Sequence, residues 1–394
     1  GDTQKRLEQQ IVVGKTVIGA HEDYGRYLGV IKLVPEGSGD WKLEKYQLLQ
    51  INDSIKEDES LALRIEEFKG MVQKEYFDMY GLGYDEVIAY SPYQFQTPDE
   101  ISSVHADSTL GNLIGDAYLY AVKKAEGANY EPVAAAVVPT GTIRSTIFKG
   151  PVTTADAFCI SSLGVGADGI PGYPIISVYL TGKELKTLCE VDASVAPIMS
   201  TAQLYPAGLS YRFNPNRLIF NKVTDVALMD ADGTRSEIDD NKLYRVVAGL
   251  YSAQMLSVVG DKSFGLLSLV PKDKEGNPIT DFEKHIIYQN IDGKQQEVKE
   301  WYAIVEYLKS FDKVDGVPRI PDYYKETHGR KIVDDDKNII SIVKNPNAIS
   351  LTVYIVVPLL LALIIFLFVK LAKAIKRRAR KRDSKGKRRQ SKRR

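Results

Sequence analysis

The spacing of apolar residues changes several times along the chain, and each change marks a different kind of segment. Between residues 10 and 50, short β-branched and apolar runs predict strands: Ile11–Val13, Thr16–Ile18, Tyr27–Leu33 and Lys42–Ile51. Gly14, Gly19, Gly25, Gly29 and the turn Pro35-Glu36-Gly37 punctuate them. So few strands do not bury a core of their own. From Ser60 to about Tyr80 the period turns helical, with Leu61, Leu63, Ile65, Phe68, Met71, Val72, Tyr76 and Met79 set among charges. This stretch predicts a linker helix. Further on, Leu110, Leu113, Ile114, Ala117, Tyr118, Ala121, Val122 and Ala125 repeat at helical spacing, which predicts a helix over Ser108–Ala125 capped by Asp107 or Ser108. Val133–Val138, Ile175–Leu180 and Leu243–Ala248 read as strands, and Trp301–Phe311 as a late helix. The second strand enters a helix through Thr181-Gly182-Lys183-Glu184, which has the spacing of a capping box. Helices alternating with strands predict an α/β domain.

The last pattern has no polar period. Asn345–Val369 holds no charged residue, and Ile349–Val369 reads ISLTVYIVVPLLLALIIFLFV. A bilayer core needs roughly 20 such residues as a helix, and Pro358 is tolerable inside a membrane helix. The run is too long for a core helix. Lys370–Arg394 then carries 15 Lys or Arg against one Asp. A basic flank of this kind predicts a single pass through the plasma membrane, with a cytoplasmic C-terminus and an extracellular ectodomain. The tail also suits anionic inner-leaflet lipids.

Charge sharpens this division. The whole chain is formally +1, but the tail alone carries +14 and residues 1–369 carry −13. An acidic ectodomain gives no reason to expect nucleic acid as a partner. Two cysteines, Cys159 and Cys189, are too few for a disulfide scaffold; the compartment permits a bond between them, and two buried thiols are the favoured reading. The chain begins at Gly1 without a Met or a leader, although its topology demands export. Either a processed form or a fragment whose first domain lies upstream is expected, and the second is the favoured reading.

Local catalytic motifs are absent. His21, His105, His285 and His328 show no HxH or HExxH pairing, and there is no GxSxG, Walker motif or GxGxxG after a strand. What remains arrives in a recognisable order. Ser108-Thr109-Leu110-Gly111-Asn112-Leu113-Ile114-Gly115-Asp116-Ala117, Val137-Val138-Pro139-Thr140-Gly141-Thr142-Ile143-Arg144 and Val178-Tyr179-Leu180-Thr181-Gly182-Lys183-Glu184-Leu185 come first. Leu243-Tyr244-Arg245-Val246 follows, with Tyr251 and Gly260-Asp261 after it. Together these resemble the nucleotide-recognition domain of the 5′-nucleotidase family. Ala20-His21-Glu22-Asp23-Tyr24-Gly25-Arg26-Tyr27-Leu28-Gly29 is similar to the closing strand pair of that family's metal-bearing first domain.

The resemblance implies an α/β fold of 5′-nucleotidase C-terminal type, with a mixed sheet and flanking helices, plus the transmembrane helix. It implies that residues 1–55 are the end of a metallophosphoesterase domain, 56–83 a linker helix and 84–330 the recognition domain. Residues 331–346 would be a stalk, 347–370 the membrane helix and 371–394 the basic tail. The family binds a divalent metal pair, such as zinc or manganese, through motifs that would lie upstream of residue 1. Only Gln4 and Asp2 fall in a ligand slot here, and two side chains cannot hold a bridged pair of ions. This chain alone is expected to lack catalysis.

The recognition half is expected to remain. Arg144 matches the family's loop arginine, Tyr251 its second stacking aromatic and Asp261 its late aspartate; Asn112 belongs to the helix motif. The first stacking Phe aligns with Leu163, which would face the Tyr251 ring; a loop Asn aligns with Pro139 and an upstream Arg with Val104. The segment Gly164–Tyr173 is glycine-rich and longer than the family's, and reshapes the expected pocket. The chain thus reads as the substrate-recognition part of a surface-anchored, metal-dependent 5′-nucleotidase-like phosphohydrolase acting on nucleotides or related phosphate esters. The rival reading is an extracellular binding or adhesion module that keeps the fold without the chemistry.

Overall fold

The computed structural model describes residues 12–13, 16–19, 25–37, 39–255 and 269–391. They fall into two compact units, Gly1–Met79 and Tyr80–Arg394.

The first unit is a hairpin and a helix. Strands Tyr27–Glu36 and Asp40–Gln50 pair antiparallel, with Leu28 opposite Leu49 and a bulge between Lys32 and Leu33. Leu28, Ile31, Leu33 and Trp41 remain exposed on this ladder, which agrees with strands too few to cover a face. The helix Glu59–Glu75 is capped by Asp58, whose carboxylate accepts from the Ser60 and Leu61 amides at 3.0 and 3.1 Å. It buries none of its residues. Of the first predicted strand, Val12–Val13 pairs with Thr16–Val17, while Ile11 lies outside the described residues.

The second unit is built on a mixed sheet in the order Ile175–Thr181, Leu243–Gly249, Ala135–Pro139, Leu204–Ala207. The two central strands run parallel and both outer ones antiparallel to their neighbours. Buried on both faces, the central strands read as near-continuous apolar runs. The helix Thr109–Glu126 covers one face. Its predicted apolar stripe from Leu110 to Val122 is buried, and Ser108 Oγ caps it by accepting from the Gly111 amide at 3.3 Å. Gly111 allows the close approach: a Cβ there would fall 2.2 Å from a Tyr205 ring carbon. On the other side, the capping box forms as the spacing predicts. Thr181 Oγ1 accepts from the Glu184 amide at 3.2 Å and Glu184 Oε2 from the Thr181 amide at 2.8 Å, starting the helix Gly182–Val195.

A second sheet runs Arg235–Ser236, Val223–Met229, Leu209–Phe213, Lys331–Val333. Its last strand lies at the start of the segment read as a stalk and pairs parallel with Leu209–Phe213. Cys189 is buried as expected, but Cys159 is exposed. It sits on the solvent side of the short helix Thr154–Ile160, whose buried positions are Thr154, Ala157 and Ile160. The chain closes with the helix Ala348–Ser391, in which Ala348–Lys376 is long and apolar enough to cross a membrane. That stretch leaves its large apolar side chains, Leu359 and Phe368 among them, exposed.

Candidate functional site

The strand Ala135–Pro139 ends in a tight turn at Thr140–Thr142. Gln203 fastens this turn, because its carbonyl accepts from the Thr140 amide at 2.8 Å. The Gln203 side-chain amide donates to the Ala106 carbonyl at 3.0 Å and the Val104 carbonyl at 3.3 Å. One buried residue therefore gathers the Val104 segment and the Pro139 loop, the two places where the resemblance had put an Arg and an Asn. Its sequence context, a polar residue between a turn and a strand, gives no signal of this role.

Arg144 follows the turn with its side chain exposed, and its amide donates to the Ile160 carbonyl at 2.8 Å. That bond sets Arg144 beside the C-terminal end of the helix Thr154–Ile160, three residues before Leu163. The glycine-rich segment then doubles back on itself. The Tyr173 amide donates to the Leu163 carbonyl, and the Gly172 amide to the Gly164 carbonyl, both at 2.9 Å. Gly164 has φ +76°, and a Cβ there would fall 2.1 Å from the Tyr173 ring. Only glycine lets the ring lie flat across that backbone.

The ring next to Tyr251 is therefore Tyr173, not Leu163. Tyr173 and Tyr251 stack with centroids 5.4 Å apart and planes 20° from parallel. Leu163, which the resemblance set opposite Tyr251, lies one backbone hydrogen bond from Tyr173. Tyr251 is 39% exposed, so one edge of the pair opens to solvent.

Buried charges hold this arrangement from below. Lys299 Nζ donates to Glu297 Oε2 at 2.6 Å, to Asp168 Oδ1 at 2.8 Å and to the Ile170 carbonyl at 3.2 Å, which pins the hairpin tip. Glu300 accepts from Ser161 Oγ at 2.6 Å, and its amide donates to the Tyr173 carbonyl at 2.9 Å. Burial pushes the Glu300 carboxyl up to about 7, with the Ser161 and then the Tyr118 hydroxyl opposing the rise. Burial, then Tyr251 and Glu300, also raises the Tyr173 phenol, which stays neutral and able to donate.

The remaining sequence-derived residues lie elsewhere. Asn112 is buried, and its carbonyl accepts from Arg330, which forms a two-pronged pair with Asp116 at 2.8 and 2.7 Å. Among the described residues no hydrogen bond or ring contact joins Asn112 to the Arg144–Tyr251 group. Asp261, Gln4 and Asp2 lie outside the described residues. A second titratable cluster, His105 at 2.9 Å and Lys331 at 3.1 Å from Asp192, ties the two sheets together. Asp192, Lys331 and Tyr211 are all buried there. Among the described residues no group of three or more His, Cys, Asp or Glu could hold a metal ion. Arg144 follows the strand Ala135–Pro139, and Tyr251 follows Leu243–Gly249, its parallel neighbour in the sheet.

Residues 87–257 match the family model for the 5′-nucleotidase C-terminal domain. Among curated relatives, the trifunctional nucleotide phosphoesterase YfkN of Bacillus subtilis is 24% identical over 251 residues, 62% of this chain and 16% of that protein. An apyrase of Anopheles gambiae is 23% identical over 232 residues, 58% of this chain and 36% of its own length. The chain thus spans well under half of the curated relatives it matches. The structure of a 5′-nucleotidase precursor from Thermus thermophilus superposes with a TM-score of 0.50 at 20% identity, covering 81% of this chain and 52% of the other, which is a likeness of fold.

Proposed function

Because the chain belongs to the 5′-nucleotidase family through its C-terminal domain, we propose that it is the substrate-recognition part of a metal-dependent nucleotide phosphohydrolase anchored at the cell surface. The observation that carries this reading is the Tyr173–Tyr251 pair. Two near-parallel rings at the open end of an α/β sheet suit a planar base, each stack contributing roughly 1–3 kcal/mol. A base that enters between them has to part the rings to about 7 Å, the upper end of stacked-ring spacings. Arg144, reaching from the loop after a sheet strand, suits a ribose hydroxyl or a phosphate with its planar fork.

Chemistry belongs to a metal pair that would orient a hydroxide and neutralise the leaving oxygen. Those ions would be held by residues beyond the ones described. The exposed apolar side chains of the hairpin Tyr27–Gln50 support assigning it to a larger domain of that kind. The helix Ala348–Lys376, followed by the basic tail, serves as the anchor, with the tail in the cytoplasm.

The test is turnover set beside binding. The chain supplied with Mn²⁺ or Zn²⁺ is expected to bind adenosine monophosphate saturably and to release no phosphate from it. Metal-dependent phosphate release by this chain alone would contradict the division of labour. For the anchor, protease added to intact cells is expected to remove the ectodomain and spare a C-terminal tag; loss of the tag would reverse the topology.

A further inference from the structure

The domain does not hang from its membrane helix on a free stalk. Arg217, only 6% exposed, donates through Nε to the Asn221 carbonyl at 2.7 Å, through Nη1 to the Ser341 carbonyl at 2.8 Å and through Nη2 to the Lys344 carbonyl at 2.7 Å. Asn347 continues the tie: its side-chain amide donates to the Phe220 carbonyl at 2.5 Å and its backbone amide to Asn221 Oδ1 at 3.2 Å. Upstream, the Asn214 side chain donates to the Asp336 carbonyl and the Asn216 side chain to the Asp335 carboxylate, both at 2.7 Å. The turn itself is anchored in the domain. Glu190 accepts from the Lys222 and Val223 amides, and Ser194 Oγ from the Phe220 amide at 2.8 Å. Phe220 and Asn345, at φ +66° and +48°, occupy left-handed backbone on the two sides of this clasp.

The clasp carries an apolar patch that no described residue covers. Ile339 and Ile340, on the short helix Ile339–Val343, are 75% and 72% exposed, Val343 is 40% exposed, and Ile219 on the clasping turn is 41% exposed. Ile339, Ile340 and Val343 sit on one short helix, and Arg217 bonds the turn that bears Ile219 to the Ser341 and Lys344 carbonyls; a cluster of exposed apolar side chains marks an interaction surface. The chain itself points to the partner. The apolar helix begins at Ala348, and Asn347, the residue before it, is already bonded to the turn that bears Ile219. The start of that helix and the patch are thus held together by one set of hydrogen bonds.

We propose that Ile219, Ile339, Ile340 and Val343 form a foot seated in the headgroup layer of the leaflet that the Ala348 helix enters, with Arg217 locking the foot to the domain. The partner is a lipid surface: apolar side chains enter the headgroup–acyl boundary, while Lys344 keeps its ammonium among the headgroups. The consequence is a recognition domain held at fixed height and tilt on the membrane. The proposal rests on reading Ala348–Lys376 as a membrane span.

Nitroxide accessibility in the full chain tests it. With the exposed thiol removed by Cys159→Ser, single labels are placed through Ile219→Cys, Ile340→Cys, Leu360→Cys and Lys274→Cys. The protein is reconstituted in phosphatidylcholine–phosphatidylglycerol nanodiscs, and relaxation by oxygen is compared with relaxation by a water-soluble nickel chelate. All four sites are exposed, so the labels do not disturb the core. The expected result is an oxygen-to-nickel ratio at 219 and 340 severalfold above that at 274, with 360 higher still. If 360 favours oxygen while 219 and 340 match 274, the span stands and the foot is overturned. If 219 and 340 are shielded from both reagents, a protein surface covers the patch and the proposal is again overturned. If 360 itself favours nickel, the span and the foot fall together.

Discussion

Lys299 Nζ lies 2.6 Å from Glu297 Oε2, and neither side chain reaches solvent. A Cβ on Gly166 would fall 1.9 Å from that same carboxylate oxygen, so the ion pair and the glycine-rich hairpin interlock. Tyr173 ends that hairpin, and its position against Tyr251 depends on a pair formed more than a hundred residues later in the chain.

Breaking the pair strands a buried charge. Lys299→Met is expected to destabilise the domain by about 3–5 kcal/mol, and a Lys299→Met/Glu297→Leu double substitution to recover most of that loss. Urea unfolding followed by tryptophan fluorescence measures both. A single-variant loss below about 1 kcal/mol would show that the pair contributes little.

Glu300 gives the fold a pH dependence of defined sign. Its carboxyl rises from 4.5 to about 7 on folding, so the folded state holds its proton more tightly than the unfolded chain. Stability falls as pH rises from about 4.5 to 7, by roughly 3 kcal/mol, and stays lower above that. Glu300→Gln is expected to flatten this slope and to be more stable than the parent at pH 8. A parent whose stability rises steadily across that window, with the same slope in Glu300→Gln, would contradict the assignment.

Asp192 acts in the opposite direction. Burial alone would raise it, but Lys331 and then His105 outweigh burial and hold it down to about 2 from 3.8. It contributes about 2 kcal/mol above pH 4, lost as pH falls toward 2. Asp192→Asn is expected to lower stability at pH 7 and to remove that part of the acid limb. Thermal unfolding between pH 2 and 5 checks it.

The helix seat is tested by size. Gly111→Ala places a methyl 2.2 Å from the Tyr205 ring, whereas Gly115→Ala places one 3.0 Å from the Ala207 Cβ. Gly111→Ala is expected to cost about 3 kcal/mol and Gly115→Ala about 1 kcal/mol or less. Equal losses in urea titrations would show that the sheet yields more than its packing suggests.

What the sequence made legible was local. The apolar stripe from Leu110 to Val122, the Thr181–Glu184 capping box, the strands Ile175–Leu180 and Leu243–Ala248, and the long apolar helix all follow from spacing within a few residues. The order of the motifs singled out Arg144 and Tyr251, which the structure sets after two parallel neighbouring strands. What stayed hidden depends on distant partners. Lys299 reads as a surface lysine until Glu297 and Asp168 close around it. Tyr173 reads as one more loop tyrosine, so the sequence sets the aliphatic Leu163 opposite Tyr251 and leaves one aromatic face. The strand Lys331–Val333 is too short for any period to show, and Gln203 has no pattern at all.

The central claim, a base-binding clamp made by Tyr173 and Tyr251, is tested most directly by titration calorimetry of adenosine into the detergent-solubilised chain and its Tyr173→Ala and Tyr251→Ala variants. The predicted result is saturable binding to the parent, weakened about tenfold by each substitution, as one lost stack of ~1.4 kcal/mol requires, with unfolding midpoints little changed. Absence of nucleoside binding to the parent, or binding that both variants retain in full, would contradict it.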